Sequence, residues 1–159
     1  MASRHRHKPP VSLKVMMEAL EEDSEGTKFA RGMLAADRAS ATLGMQLVRC
    51  SPGSATVTMT VTEDMVNGHS ITHGGFVFAL ADTAFALACN SYGRATVAAG
   101  ATIAFLAPTG IGDELVAEAV ERARRGRRGV YDVTVRRGDE VVAEFRGNSH
   151  EIAGRSATS

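Results

Sequence analysis

The feature that most constrains the fold is an uninterrupted apolar run at residues 76–89. It contains no glycine or proline, and Asp82 is its only charged residue. The run is too long for an ordinary strand and is rich in alanine and leucine, which favour helix. Its side chains are apolar nearly all round, a pattern typical of a helix that is buried on every side.

Segments with strand patterns lie on both sides of this helix in the sequence. Residues 54–62 alternate strictly and place Ala55, Val57, Met59 and Val61 on one face. Further strands are predicted at residues 43–48, 96–106, 114–123, 130–136 and 141–146. A curved antiparallel sheet around the helix satisfies both patterns. The sheet covers only part of the helix, and we expect a second copy of the chain to cover more of the helix.

Length and charge limit what else the chain can be. Its 159 residues, 44% of them apolar, fit one domain with its own core. We expect a flexible tail at 1–10, a helical segment at 11–36, the main domain at 37–152 and a second flexible tail at 153–159. A net charge of zero argues against a nucleic-acid or membrane partner. Two cysteines without a CxxC pair, no signal sequence and no transmembrane stretch predict a cytoplasmic protein.

Asp82 is the residue that most strongly suggests chemistry. It lies in the middle of the apolar helix, where it cannot serve as an N-cap. An unpaired carboxylate is costly to bury, and burial raises its pKa. Asp82 is therefore predicted to be a general base or nucleophile in a dry pocket. The alternative is a structural role, with the carboxylate bonded to a distant backbone amide or arginine.

A second candidate is the His73-Gly74-Gly75 segment at the predicted start of the helix. A helix N-terminus presents unbonded N–H groups, and glycine lets a ligand approach them. A developing oxyanion would be stabilised there, unless the glycines only relieve crowding. Gly74 and Asp82 lie eight residues apart, or roughly 12 Å along one helix. Two antiparallel copies of the helix would bring the Gly74 of one chain near the Asp82 of the other.

Other polar residues support weaker predictions. Asn67 and His73 are candidates for holding water or substrate, whereas His69 fits a structural role better. No cluster of residues has the spacing of a zinc site. The region from 122 to 137 carries seven arginines and one acid, Asp132. Those arginines either bind phosphates or keep a hairpin tip solvated and so prevent a sheet edge from pairing with another chain. The sequence leaves both interpretations open.

Taken together, these motifs resemble the PaaI-type acyl-CoA thioesterases of the hotdog fold over roughly residues 34–152. The resemblance rests on Asn67-Gly68-His69, on His73-Gly74-Gly75 and on the helix with Leu80-Ala81-Asp82. The segments at residues 102–108, 129–133 and 145–150 also fit the resemblance.

The resemblance implies an α+β hotdog fold, with five to six antiparallel strands around one long helix. The helical pattern near the N-terminus adds extra helices, and the first 30 residues are more than the family core needs. The resemblance also implies a homodimer that assembles into a homotetramer and hydrolyses aryl- or arylacetyl-CoA without a metal or other cofactor. By the same resemblance the catalytic set is Asp82, Gly74, His73 and Asn67. The implied substrate contacts are Gly75, Phe76, Thr83, Thr102, Arg124, Arg125, Arg127 and Arg128. One departure is Ala98, where some relatives carry a serine facing the acid, and Thr102 is the nearest hydroxyl.

Three alternatives stay open at this level. The chain could bind acyl-CoA without catalysis, as a sensor or carrier. It could be a hotdog enzyme acting on medium-chain or enoyl-CoA, with His73 taking part in hydration. The arginine-rich hairpin could bind nucleic acid, although aromatic residues are only 5% of the chain and none lies between the arginines as a stacking platform.

Overall fold

The computed structural model describes residues 24–156, and for residues 153–156 only the backbone. Six strands form one antiparallel sheet in the order β1-β2-β4-β5-β6-β3. The strands are β1 (Gln46–Ser51), β2 (Ser54–Thr60), β3 (Arg94–Phe105), β4 (Glu114–Arg125), β5 (Arg128–Arg137) and β6 (Glu140–Ser156). The helices are α1 (Glu25–Ala35), α2 (Arg38–Thr42) and α3 (Gly74–Asn90), with a short 3-10 turn at Glu63–Met65.

The central helix α3 lies in the concave face of the sheet and contacts all six strands. Its phenylalanine Phe85 packs edge-on against Tyr131 of β5 and lies close to Phe145 of β6, with ring centroids 5.5 and 5.8 Å apart. Gly147 makes room for that ring, because a Cβ there would lie 2.8 Å from it. The predicted hotdog arrangement of helix and sheet is confirmed, with six strands.

The predicted alternation of β2 is also confirmed. Ala55, Val57, Met59 and Val61 are all buried against the core, whereas the threonines between them are partly exposed. The helix begins two residues earlier than predicted and ends one residue later. The first strand lies three residues later, and β6 runs to Ser156, four residues beyond the predicted end of the domain.

Two helices precede the sheet. Ser24 caps α1 by accepting the Thr27 N–H at 3.2 Å, and α1 packs along α3. The contact is close, since a Cβ on Gly26 would lie 2.1 Å from the Ser91 carbonyl oxygen. The helix passes through both Gly26 and Gly32 without a break, because packing on α3 stabilises it. The predicted tail at 1–10 and residues 11–23 of the helical segment lie outside the described residues, as do residues 157–159.

Candidate active site

The helix α3 begins at a loop that is fixed from two sides. The His73 N–H donates to the Met65 carbonyl at 2.8 Å, and the Thr72 N–H donates to the Thr109 carbonyl at 2.8 Å. The two threonine hydroxyls bond each other at 2.7 Å and are buried. The start of α3 is therefore fixed by the segment between β3 and β4 on one side and by the end of the 3-10 turn on the other.

His73 is the N-cap of α3. Its Nδ1 accepts the Gly75 N–H at 3.0 Å, which leaves the ring proton of the neutral imidazole on Nε2. The His73 ring is exposed and meets the half-buried Phe76 ring edge-on. The Gly75 amide is therefore used by the cap, and a contact between Gly75 and substrate stays a prediction.

Gly74 has the amide that the cap leaves unbonded. Within residues 24–156 its N–H has no acceptor, and it lies at the positive end of the α3 dipole. A Cβ at this position would lie 2.9 Å from the tip of the Phe105 ring. Glycine thus leaves the amide open and lets an aromatic ring lie against it.

Asp82 lies two turns further along α3 and is half-buried. No hydrogen bond or ion pair within residues 24–152 reaches its carboxylate, so the structural alternative, a bond to a backbone amide or an arginine, is not found in that part of the chain. Burial raises the pKa of the Asp82 carboxyl, and no neighbouring charge opposes that effect. A carboxylate whose pKa is raised by burial accepts a proton more readily than an ordinary aspartate, as a general base must.

A stripe of small residues with Asp82 in its middle runs along the partly exposed side of α3, beside the equally half-buried Phe78 and Thr83. The stripe consists of Gly75, Ala79, Asp82 and Ala86, which lie within one helical face and are exposed or half-exposed. Burial of Cys89 further along raises its pKa to about 12, and the Asp82 charge adds to this effect. Another surface can approach the carboxylate closely along this stripe.

Thr83 and Asn67 have partners that point to positioning roles. The Thr83 hydroxyl lies 3.1 Å from the Ser40 hydroxyl of α2, and Ser40 in turn bonds Asp37, the N-cap of α2. The Asn67 side-chain oxygen accepts the N–H groups of His69 and Ile71 at 2.9 and 3.3 Å. Asn67 therefore shapes the loop before α3 and makes no contact with Asp82 within the chain.

Thr102, a predicted substrate contact on strand β3, is exposed. It pairs with Arg146 across β3 and β6 and lies on the outer face of the sheet beside Asp132. The inward positions of β3 are Ala101, Ile103 and Phe105, because strand side chains alternate. On its own chain Thr102 therefore faces away from α3, and its contact with substrate stays a prediction.

The arginine-rich hairpin lies at the opposite end of α3 from Gly74. Arg124 stacks over the Tyr92 ring at 3.8 Å, and Arg127 donates to the Glu151 carbonyl. Arg125 and Arg128 face each other across the strand pair and form no ion pair with a described residue. A polar cleft of about 400 Å³ opens here, lined by Tyr92, Arg94, Arg124 and Gly126.

Sequence reasoning missed several of these contacts. It did not identify Phe105 against Gly74, or Ser40 against Thr83, because both pairs are distant in sequence. The Asp37-Arg38-Ala39-Ser40 segment did carry the signature of a helix N-cap. Within residues 24–152, no three histidine, cysteine, aspartate or glutamate side chains come together as a metal site. No helix in that part of the chain is long and apolar enough to cross a membrane.

The fold and this arrangement define a hotdog protein with an open helix N-terminal amide and an unpaired carboxylate on the same helix. The Thioesterase superfamily profile matches residues 69–144. The acyl-coenzyme A thioesterase PaaI of Escherichia coli K12 is 48% identical over 126 residues, which cover 79% of this chain and 90% of that protein. The chain belongs to the thioesterase superfamily and is a thioester hydrolase.

Solved structures agree with this assignment. The E. coli PaaI protein from the phenylacetic acid degradation operon superposes with a TM-score of 0.80 at 45% identity, covering 82% of this chain and 96% of that one. A Streptococcus mutans protein bound to acetyl CoA superposes with a TM-score of 0.67 at 26% identity, covering 70% of this chain and 91% of that one.

Proposed function

We propose that the chain hydrolyses the thioester of aryl- or arylacetyl-CoA at a site shared by two copies. In this mechanism the Asp82 carboxylate takes a proton from water, and the oxygen of that water adds to the thioester carbonyl carbon. The Gly74 N–H of the second copy stabilises the oxyanion. The carbon–sulfur bond then breaks, and the proton held by Asp82 passes to the departing thiolate, giving a carboxylic acid, the coenzyme A thiol and the original carboxylate. Direct attack by Asp82, with water resolving the anhydride, uses the same geometry.

The observation that carries the proposal is the pairing of an unbonded amide with an unpartnered carboxylate. Both groups lie on α3, too far apart to reach one carbonyl from the same chain. The stripe of small residues around Asp82 supports an antiparallel arrangement of two copies, because it allows close approach. His73 serves as a cap and, through Nε2, as a hydrogen-bond donor toward substrate; its Nδ1 is occupied, which weighs against a role as the base of a hydratase.

The free edge of the sheet supports the dimer. Strand β3 is 12 residues long, pairs only with β6 within the described chain and exposes Val97 at 46%. Natural sheets protect such edges, so pairing of β3 with a second copy is expected. Two α3 helices then run antiparallel, and the assembly of two dimers into a tetramer is part of the proposal.

The basic hairpin supports coenzyme A as the substrate carrier. Helix α3 is about 24 Å long, and Arg124 of the hairpin stacks on Tyr92, just past the end of the helix opposite to Gly74. In an antiparallel dimer the hairpin of one copy approaches the Gly74 end of the other, where the phosphates of coenzyme A would need cations. The protein would need no metal and no other cofactor. The chain has two cysteines, Cys50 and Cys89, and both are buried, a usage that fits a reducing, cytoplasmic location.

A thiol-release assay on benzoyl-, phenylacetyl- and straight-chain acyl-CoA tests the proposal. Asp82→Asn keeps the shape of the side chain and removes the base, so kcat should fall about 10²- to 10⁴-fold. Asp139→Asn, the same change in the exposed β5–β6 turn, is the matched control and should keep the parent rate. Undiminished turnover by Asp82→Asn would refute the mechanism.

The same assay separates the alternatives. A non-catalytic acyl-CoA carrier would bind these thioesters and release no thiol. An enoyl hydratase would remove enoyl absorbance without producing thiol. Binding of nucleic acid through the hairpin would weaken steeply with salt.

A further inference from the structure

A cleft of about 450 Å³ opens beside the start of α3, and the mechanism above leaves it unassigned. We call it the Phe105 cleft. It lies between the first turn of α3 and the segment that follows β3. Its apolar walls include Ile71, Val77, Phe105, Leu106 and Val142. Phe105 and Leu106 are 54% and 60% exposed and are neighbours, so they form part of one apolar patch.

The polar groups of the Phe105 cleft are already bonded. Its only polar side chains among the described residues are Thr72 and Thr109, which are buried and hydrogen-bonded to each other. No charged side chain lines it. An amide or phosphate placed there would lose its bonds to water without gaining others. The cleft therefore suits a neutral apolar group and does not suit the pantetheine amides or the nucleotide of coenzyme A.

Gly74 also lines this cleft and connects it to the reaction. If the thioester oxygen accepts the Gly74 N–H, the carbonyl carbon is one bond away, and its acyl substituent begins at the mouth of the cleft. The Phe105 ring lies against Gly74, so it is the first apolar surface that this substituent meets.

We propose that the Phe105 cleft binds the apolar acyl group of the thioester and that Phe105 sets the preference for aromatic acyl groups. This inference rests on the proposed function. An aromatic acyl ring can pack edge-on against Phe105, which favours it by roughly 2- to 10-fold beyond simple burial. An acetyl group is too short to make that contact.

The test compares phenylacetyl-CoA with acetyl-CoA in Phe105→Ala. The KM for phenylacetyl-CoA should rise about 10-fold while kcat changes little, because the contact is the same in the ground state and the transition state. The kcat and KM of the variant for acetyl-CoA should stay within about 2-fold of the parent values. Ile111→Ala is the matched control, since Ile111 is 56% exposed and lies outside the cleft. Phe105→Leu keeps an apolar side chain at this position and should raise the KM by an intermediate amount. It also serves as the folded variant if Phe105→Ala does not fold.

A binding arm separates this inference from the proposed function. Calorimetry on Asp82→Asn protein measures the affinity for phenylacetyl-CoA and for free coenzyme A, whether or not the parent releases thiol. Adding Phe105→Ala should weaken phenylacetyl-CoA binding about 10-fold and leave coenzyme A binding unchanged. If the parent releases no thiol from any thioester, the proposed function fails and this binding arm still decides the inference.

Two results would overturn the inference. Equal effects of Phe105→Ala on phenylacetyl-CoA and acetyl-CoA, or no effect on either, would mean that the cleft does not hold the acyl group. Conversion of an oligomer to monomers by Phe105→Ala, measured by light scattering, would mean that a second copy of the chain fills the cleft.

Discussion

Replacing Gly74 with alanine separates the chemistry of the helix N-terminus from the stability of the fold. The new Cβ would lie 2.9 Å from the Phe105 ring, against 3.4 Å for an ordinary contact, so the ring must shift by about 0.5 Å. Because Phe105 is more than half exposed, the ring can move at small cost. Alanine also favours helix over glycine by about 0.5–1 kcal/mol, which offsets that cost. We expect Tm to change by less than about 3 °C.

Activity should respond very differently. The methyl group would lie beside the unbonded Gly74 amide and push the thioester carbonyl away from it. A displacement of this kind costs roughly 10²-fold in rate, close to the 10²- to 10³-fold effect of losing one oxyanion donor. The thiol-release assay under saturating phenylacetyl-CoA measures kcat, and a thermal melt on the same sample measures stability.

Two controls isolate the cause. Gly32→Ala makes the same change inside α1, where a Cβ meets nothing within 4 Å, and should leave kcat unchanged. Gly74→Ala combined with Phe105→Ala removes the clash with the ring. If the methyl blocks the amide, that double variant stays slow; recovery of kcat would assign the loss to the displaced ring. A folded Gly74→Ala protein with the parent kcat would refute the assignment of Gly74 as the carbonyl site.

Two further predictions follow from the charges. Because burial raises the folded-state pKa of Asp82, its ionisation lowers stability as pH rises from the unfolded pKa through the folded one. Asp82→Asn should therefore raise the free energy of unfolding at pH 7, and the gain should fade as the pH falls below the unfolded pKa of the carboxyl. Urea unfolding that detects no gain at pH 7 would contradict this. The double variant Arg125→Gln with Arg128→Gln should raise the KM for phenylacetyl-CoA. The KM for a phenylacetyl thioester that lacks the nucleotide should stay unchanged. Equal effects on both thioesters would exclude a phosphate contact.

The sequence by itself determined the central helix and most of the strands around it. An apolar run without breakers at 76–89 and strict alternation in β2 are local patterns, and each corresponds to one backbone geometry. The same patterns identified Asp82 and Gly74, because a carboxylate in an apolar helix and glycines at its start are conspicuous without knowledge of any contact.

Only the tertiary structure decided which groups around these residues are free. The Gly75 amide is occupied by His73, and the Gly74 amide is not, although the sequence presents the two glycines alike. The outward direction of Thr102 depends on how β3 pairs with β6, which is set by register between strands far apart in the chain. The contact of Phe105 with Gly74 likewise joins residues 31 positions apart. Such contacts arise from packing of the whole sheet around α3, so no local pattern in the sequence records them.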